Sequence, residues 1–169
     1  MTESLTVTFD LLTRKGQRIS ETELIAHIDH YRAWLQHDDD YEGVMEVRDA
    51  TNPPIIAEDS LPALVKNLCF EAMPDLVANK SVVYRYFSYH GYLRLDPEGS
   101  LILLSGDGNP TIRVDRSSFL RAFYACGLRF MQLLRQVQGD PPHPNTAQLI
   151  AFLEQYQVVG QTALAELAA

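Results

Sequence analysis

From Ser81 to Val114 apolar and polar residues alternate, and the alternation is interrupted three times by chain-reversing residues. The runs VVYRYFSY, GYLRLD, SLILLS and TIRV are separated by His90-Gly91, by Asp96-Pro97-Glu98-Gly99 and by the cluster Gly106 to Pro110. Period-two alternation belongs to half-buried strands, and connections this short join antiparallel neighbours. His-Gly couples a residue tolerant of positive φ with glycine, and Pro97 presets φ for the first central position of a turn. The segment therefore predicts a four-stranded antiparallel meander with its reversals at those three places.

The flanking sequence supplies helices to cover such a sheet. At the start, Val7, Phe9 and Leu11 alternate with Thr6, Thr8 and Asp10, which predicts one more strand before RKGQR turns the chain. Ser20 and Glu23 have capping-box spacing, and Leu24, Ile28, Tyr31 and Leu35 share one helical face, predicting a single helix from about Glu21 to Gln36. A short strand over Val44 to Arg48 precedes the break at Asn52-Pro53-Pro54. Leu61, Leu64, Val65, Leu68, Cys69, Ala72 and Met73 then keep helical spacing behind a cap at Asp59 or Ser60. Pro74 ends or kinks that helix, with PDLVAN as an additional turn.

After the meander, Phe119, Leu120, Phe123, Cys126, Gly127, Phe130, Leu134 and Val137 form one buried stripe. Gly127 costs about 1 kcal/mol relative to alanine inside it, so close backbone packing is expected there. Asn145 and Gln148 repeat the capping-box spacing and open a last helix carrying Leu149, Phe152, Leu153 and Tyr156, which residues 160–169 extend or fray. The expected architecture is α+β: an antiparallel meander sheet packed mainly on one face by about four helices, as a single globular domain over residues 1–169.

Composition narrows the function. A chain of 169 residues with 46% hydrophobic content can bury a core without disulfide or metal staples. MTESLTVTFD has no basic stretch leading into an apolar one, and no run approaches the roughly 18 apolar residues of a membrane span. Cys69 and Cys126 lie far apart within helical patterns and read as buried thiols in a reducing compartment, so a cytoplasmic location is expected, away from membranes. The net charge of −8 is uneven: eight acids against Arg48 alone lie between Asp38 and Asp59, whereas five arginines face Asp115 alone from Arg113 to Arg135. Such a balance disfavours nucleic acid and favours a basic partner, with a plain solvated surface as the alternative reading of the charge runs.

Motifs for catalysis are lacking. The SGDGNP cluster is followed by a strand, whereas a phosphate cradle needs a helix next. A calcium loop would require Glu at its twelfth position, where Ser118 stands. His27 and His30 with His37 could be imagined around zinc, but they border Trp34 and lack thiolate partners, which fits a helix flank. Ser105, His90 and Asp107 provide the residue types of a triad without a nucleophile elbow. The aromatic stretch Tyr84, Tyr86, Phe87, Tyr89 and Tyr92 is more informative: about half of it should be core and the rest available for protein contact.

The run from Tyr89 to Phe130, YHGYLRLDPEGSLILLSGDGNPTIRVDRSSFLRAFYACGLRF, resembles segments of small bacterial immunity proteins from polymorphic-toxin, contact-dependent or type VI secretion systems. The resemblance implies a non-catalytic protein that neutralises a cognate toxin by covering its active site, with no cofactor and no metal. The expected partner is a protein toxin or effector with a basic surface, and the oligomeric state is left open. Expected contact residues are Asp38, Asp39, Asp40, Tyr41 and Glu42, which would steer a basic partner, with Tyr89, His90 and Tyr92 at the hairpin tip as anchors. The alternatives are a non-catalytic adaptor for a secreted effector, or a small enzyme whose carboxylates leave no local motif.

Overall fold

The computed structural model describes residues 5–38 and 40–168, and in it the meander is one of two four-stranded antiparallel sheets. The first sheet contains β1 (Thr6–Leu12), β2 (Arg18–Ser20), β3 (Glu42–Arg48) and β4 (Ile55–Ser60), in the order β2-β1-β3-β4. The second is the expected meander of β5 (Val82–Arg85), β6 (Tyr92–Glu98), β7 (Leu101–Gly106) and β8 (Ile112–Asp115), in sequence order. The α+β class stands, and β2 and β4 are additions to the strands read from periodicity.

Helices α1 (Glu21–Ala26) and α2 (Ile28–Gln36) follow β2; α3 (Leu61–Leu64), a π-helical segment (Val65–Glu71) and α4 (Met73–Val77) follow β4. The long helices α5 (Arg116–Gln138) and α6 (Pro144–Ala168) close the described chain. Among the described residues no helix is long and apolar enough to cross a membrane.

Four local expectations are corrected. The helix over Glu21 to Gln36 is broken at His27, whose φ of −125° and ψ of 37° are not helical. The break lets α1 lie along β1 and β2 while α2 turns onto α5, so Leu24 and Leu35 are each buried against a different element. Pro97 lies inside β6, paired with Ile102, and the reversal sits at Gly99, whose φ of +65° suits glycine. Partner strand β5 reaches only Leu95 with its first residue Val82, so no ladder bond is lost at the proline. Helix α6 begins at Pro144, a residue preorganised for a first helical position, and Asn145 and Gln148 are exposed within it, so they form no cap. His90-Gly91 is not a two-residue turn: β5 and β6 are joined by the six residues 86–91, closed by a hydrogen bond from Tyr86 N to Gly91 O of 3.1 Å.

Helix α5 is the axis of the core. It contacts β1, β7 and β8, and on its other sides α2, α6 and the π-helical segment. All eight residues of its expected stripe are buried, and Asp115 caps it by accepting from Ser118 N at 2.8 Å. Glu21 ties α5 to the first sheet: one carboxylate oxygen accepts from Phe9 N at 3.0 Å, where β2 has ended, and the other accepts from Arg129 Nε at 2.8 Å.

The close packing expected at Gly127 is observed. A Cβ there would stand 2.8 Å from both Cys69 Cβ and Phe70 Cζ, and one at Gly160 would stand 3.2 Å from Phe70 Cα. The π-helical segment thus presses Phe70 between two glycines, one on α5 and one on α6. Gly127→Ala should cost a net 2 kcal/mol or so, because overpacking outweighs the gain in helix propensity of about 1 kcal/mol. A urea midpoint equal to that of the wild type would show that the three helices have slack at this point.

Candidate functional site

Alternation along β4 points Ile55, Ala57 and Asp59 inward and Ile56 and Glu58 outward. A carboxylate in the core-facing phase must find donors, because an uncompensated buried charge is expensive. Asp59 is 0% exposed and finds them in the other sheet and its loop. Its Oδ2 accepts from Tyr84 Oη at 2.6 Å and Phe87 N at 2.8 Å, and its Oδ1 accepts from Ser88 N at 3.0 Å and Ser60 N at 2.9 Å. This capture explains the long β5–β6 connection: amides that a tight hairpin would use in its own turn are drawn onto Asp59.

Asn109 of the SGDGNP reversal makes a second junction between the sheets. Its side-chain amide accepts from Ile56 N and donates to Ile56 O, both at 2.8 Å, covering the free edge of β4.

The pinned loop displays its aromatic residues. Phe87 is 75% exposed and Tyr89 45% exposed, with His90 and Tyr92 exposed beside them. Below them Tyr84 and Tyr86 are buried, Tyr84 meeting Tyr86 edge-on at 5.6 Å and Tyr86 stacking with Tyr89 at 4.7 Å. Both the core share and the surface share expected of this stretch are therefore present.

Folding brings the two expected contact clusters together, since Ser88 Oγ lies 2.8 Å from Glu42 Oε1 and 2.8 Å from Asp59 Oδ1. Asp38 and Asp40 lie in the turn before Glu42, where Asp38 Oδ1 accepts from Asp40 N at 3.0 Å. Asp39 lies outside the described residues. Tyr41 is corrected as a contact residue: it is buried against Phe130, its hydroxyl donates to Leu35 O at 2.7 Å, and burial pushes its phenol up to about 12. The acids instead line a groove of about 870 Å³, with Trp34 from α2 and with Arg14 and Lys15 from the β1–β2 turn. Arg14 and Lys15 form ion pairs with no described residue, so the groove has a cationic side and an anionic side.

The two carboxylates around Ser88 titrate in opposite senses. For Asp59, burial acts upward, but the bonds from Tyr84, Phe87, Ser88 and Ser60 outweigh it and hold the carboxyl below its ordinary value. For Glu42, burial acts upward as well, and the Asp59, Asp40 and Glu58 charges add to it beyond what the Ser88 bond takes back, so the carboxyl is raised. The single Ser88 hydroxyl proton stands between the two carboxylates, 2.8 Å from each.

A depressed carboxyl contributes stability that is present above the unfolded-state pKa of about 4 and lost as pH falls through the folded value. A raised one contributes stability that is present below the unfolded pKa and lost as pH rises through the folded value. Glu42→Gln, whose amide can donate to Ser88 at any pH, should therefore stabilise at pH 7 by about 0.5 kcal/mol after solvent screening. The gain should vanish below about pH 4; a thermal scan showing the variant less stable at pH 7 would contradict the upward shift of the Glu42 carboxyl.

His27, His30 and His37 do not converge on one site. His27 sits at the helix break, His30 packs on Tyr31, and His37 meets His143 edge-on at 5.1 Å. Among the described residues no three His, Cys, Asp or Glu side chains are grouped so as to hold a metal ion. Asp59 and Ser88 are the site residues that sequence reading missed, although an acid in phase with Ile55 and Ala57 is a visible signal once IIAED is taken as a strand. Compared with protein-family models, curated proteins and solved structures, the chain matches none of them.

Proposed function

We propose that this chain is a stoichiometric inhibitor of a basic protein toxin, docking through the loop of residues 86–91 and the anionic side of the adjoining groove. The observation that carries the proposal is Phe87: an aromatic ring 75% exposed on a backbone held from beneath by the fully buried Asp59. A large apolar side chain in water loses about 1.5 to 3 kcal/mol of burial free energy that a partner can recover. A loop already fixed in shape avoids most of the ordering cost of binding. Beside the loop, the charges of Asp59, Asp40 and Glu58 act against that of Glu42, and a cationic partner surface relieves the repulsion while accelerating encounter. The likeness of the Tyr89–Phe130 segment to immunity proteins supplies the class of partner.

The test is genetic. The product of the neighbouring reading frame, expressed alone, should arrest growth; co-expression of this chain should restore it, and Phe87→Ala should restore it poorly at equal protein level. A harmless neighbour product, or full rescue by Phe87→Ala, would contradict the proposal.

A further inference from the structure

Helix α6 runs for 25 residues and carries only two charged ones, Glu154 and Glu166. One side of it, with Ile150, Leu153, Gly160 and Ala163, is buried against α5, α4 and the π-helical segment. The opposite side presents Ala151, Gln155, Val158 and Thr162, of which Val158 is 61% exposed, and is flanked by Phe152, 42% exposed, and Val159. A surface helix normally turns a charged face to water, and one without charge all round is normally covered. Beside Val159 runs a groove of about 320 Å³ between α4 and α6, lined by Pro74, Val158, Val159, Thr162, Ala163 and Glu166.

We infer that a second copy of this chain covers this face, the two α6 helices packing antiparallel about Val158 and Val159 with Phe152 of each in the α4–α6 groove of the other. The residue pattern is complementary to its own reverse. Centred there, an antiparallel pair sets Gln155 opposite Thr162, and Glu154 and Glu166 fall on opposite flanks, so no two carboxylates face each other. A two-fold axis across the pair keeps Phe152 on the same flank as the partner's groove, level with Thr162, Ala163 and Glu166. A parallel pair in register would set Glu154 on Glu154 and Glu166 on Glu166. Charge is compatible with this occupant: the face is nearly neutral, so the repulsion between two chains of net charge −8 is least there. One helix pair is smaller than the roughly 1,600 Å² of a standard interface, so association in the micromolar range is expected.

Sedimentation of the full chain across that concentration range should show a reversible monomer–dimer equilibrium. Added salt should strengthen it by screening the net repulsion, opposite to the weakening expected for a basic partner. Val158→Glu, a substitution at an exposed position, should weaken the dimer about 100-fold without unfolding the chain. Under oxidising conditions Val158→Cys should cross-link two copies, and Gln148→Cys should not. A monomer at every concentration, association untouched by Val158→Glu, or equal cross-linking at both positions would overturn the inference.

Discussion

Asp59→Ala should unfold about 3 to 5 kcal/mol more easily than the wild type, the largest stability effect expected of any single polar residue here. Removal of this carboxylate leaves the Tyr84 hydroxyl and the amides of Phe87 and Ser88 without their acceptor, and the two sheets lose their buried polar link. The cost exceeds that of an ordinary hydrogen bond because donors remain buried with nothing to bond. Tyr84→Phe removes one donor and leaves the carboxylate three others from main-chain amides, so it should cost less, about 1.5 to 3 kcal/mol. Denaturant titrations at pH 7 measure both. The gap between wild type and Asp59→Ala should narrow as pH falls below about 4, because protonation removes the same charge that the substitution removes. A loss under 1 kcal/mol at pH 7 would show that Asp59 does not hold the junction.

Phe87→Ala should behave in the opposite way, folding as well as the wild type and binding its partner about 30- to 1,000-fold more weakly. The ring makes little internal contact beyond Tyr84, at 6.4 Å between centroids, so truncation removes little from the folded chain. At an interface it would be the central anchor, and its loss should appear mainly as faster dissociation. Reversal of Asp38 and Asp40 to lysine should act instead on the association rate, lowering it about tenfold at low salt and flattening its salt dependence. Unchanged association after that reversal would remove the groove acids from the account.

The legible parts of the fold are those in which one periodicity covers a whole element. The four meander strands and the buried stripe of α5 follow directly from alternation and helical spacing. The strand β4 was illegible because its inward phase ends in an acid: IIAEDS reads as a strand only if Asp59 has a buried partner, and that partner lies 25 residues away in Tyr84. The break at His27 likewise depends on where β1 and α5 lie, which no local spacing encodes. At the site, Asp40, Tyr89, His90 and Tyr92 are exposed and Asp38 and Glu42 are half-buried, as polar and loop residues of these runs allow. Tyr41 went into the core because its backbone, at φ of 47°, turns the ring away from the neighbouring acids. That the two clusters meet at Ser88 is a tertiary fact, produced by Asp59 drawing one loop across to the other sheet.

The most direct test of docking through the pinned aromatic loop is calorimetric titration of the purified neighbouring gene product into three forms of this chain. The wild type should bind one partner per chain, more weakly as salt rises. Phe87→Ala should lose at least 30-fold, or about 2 kcal/mol, while Phe152→Ala on the distant α6 face should bind as the wild type does. Equal affinity of wild type and Phe87→Ala, or loss of binding only in Phe152→Ala, would contradict the account.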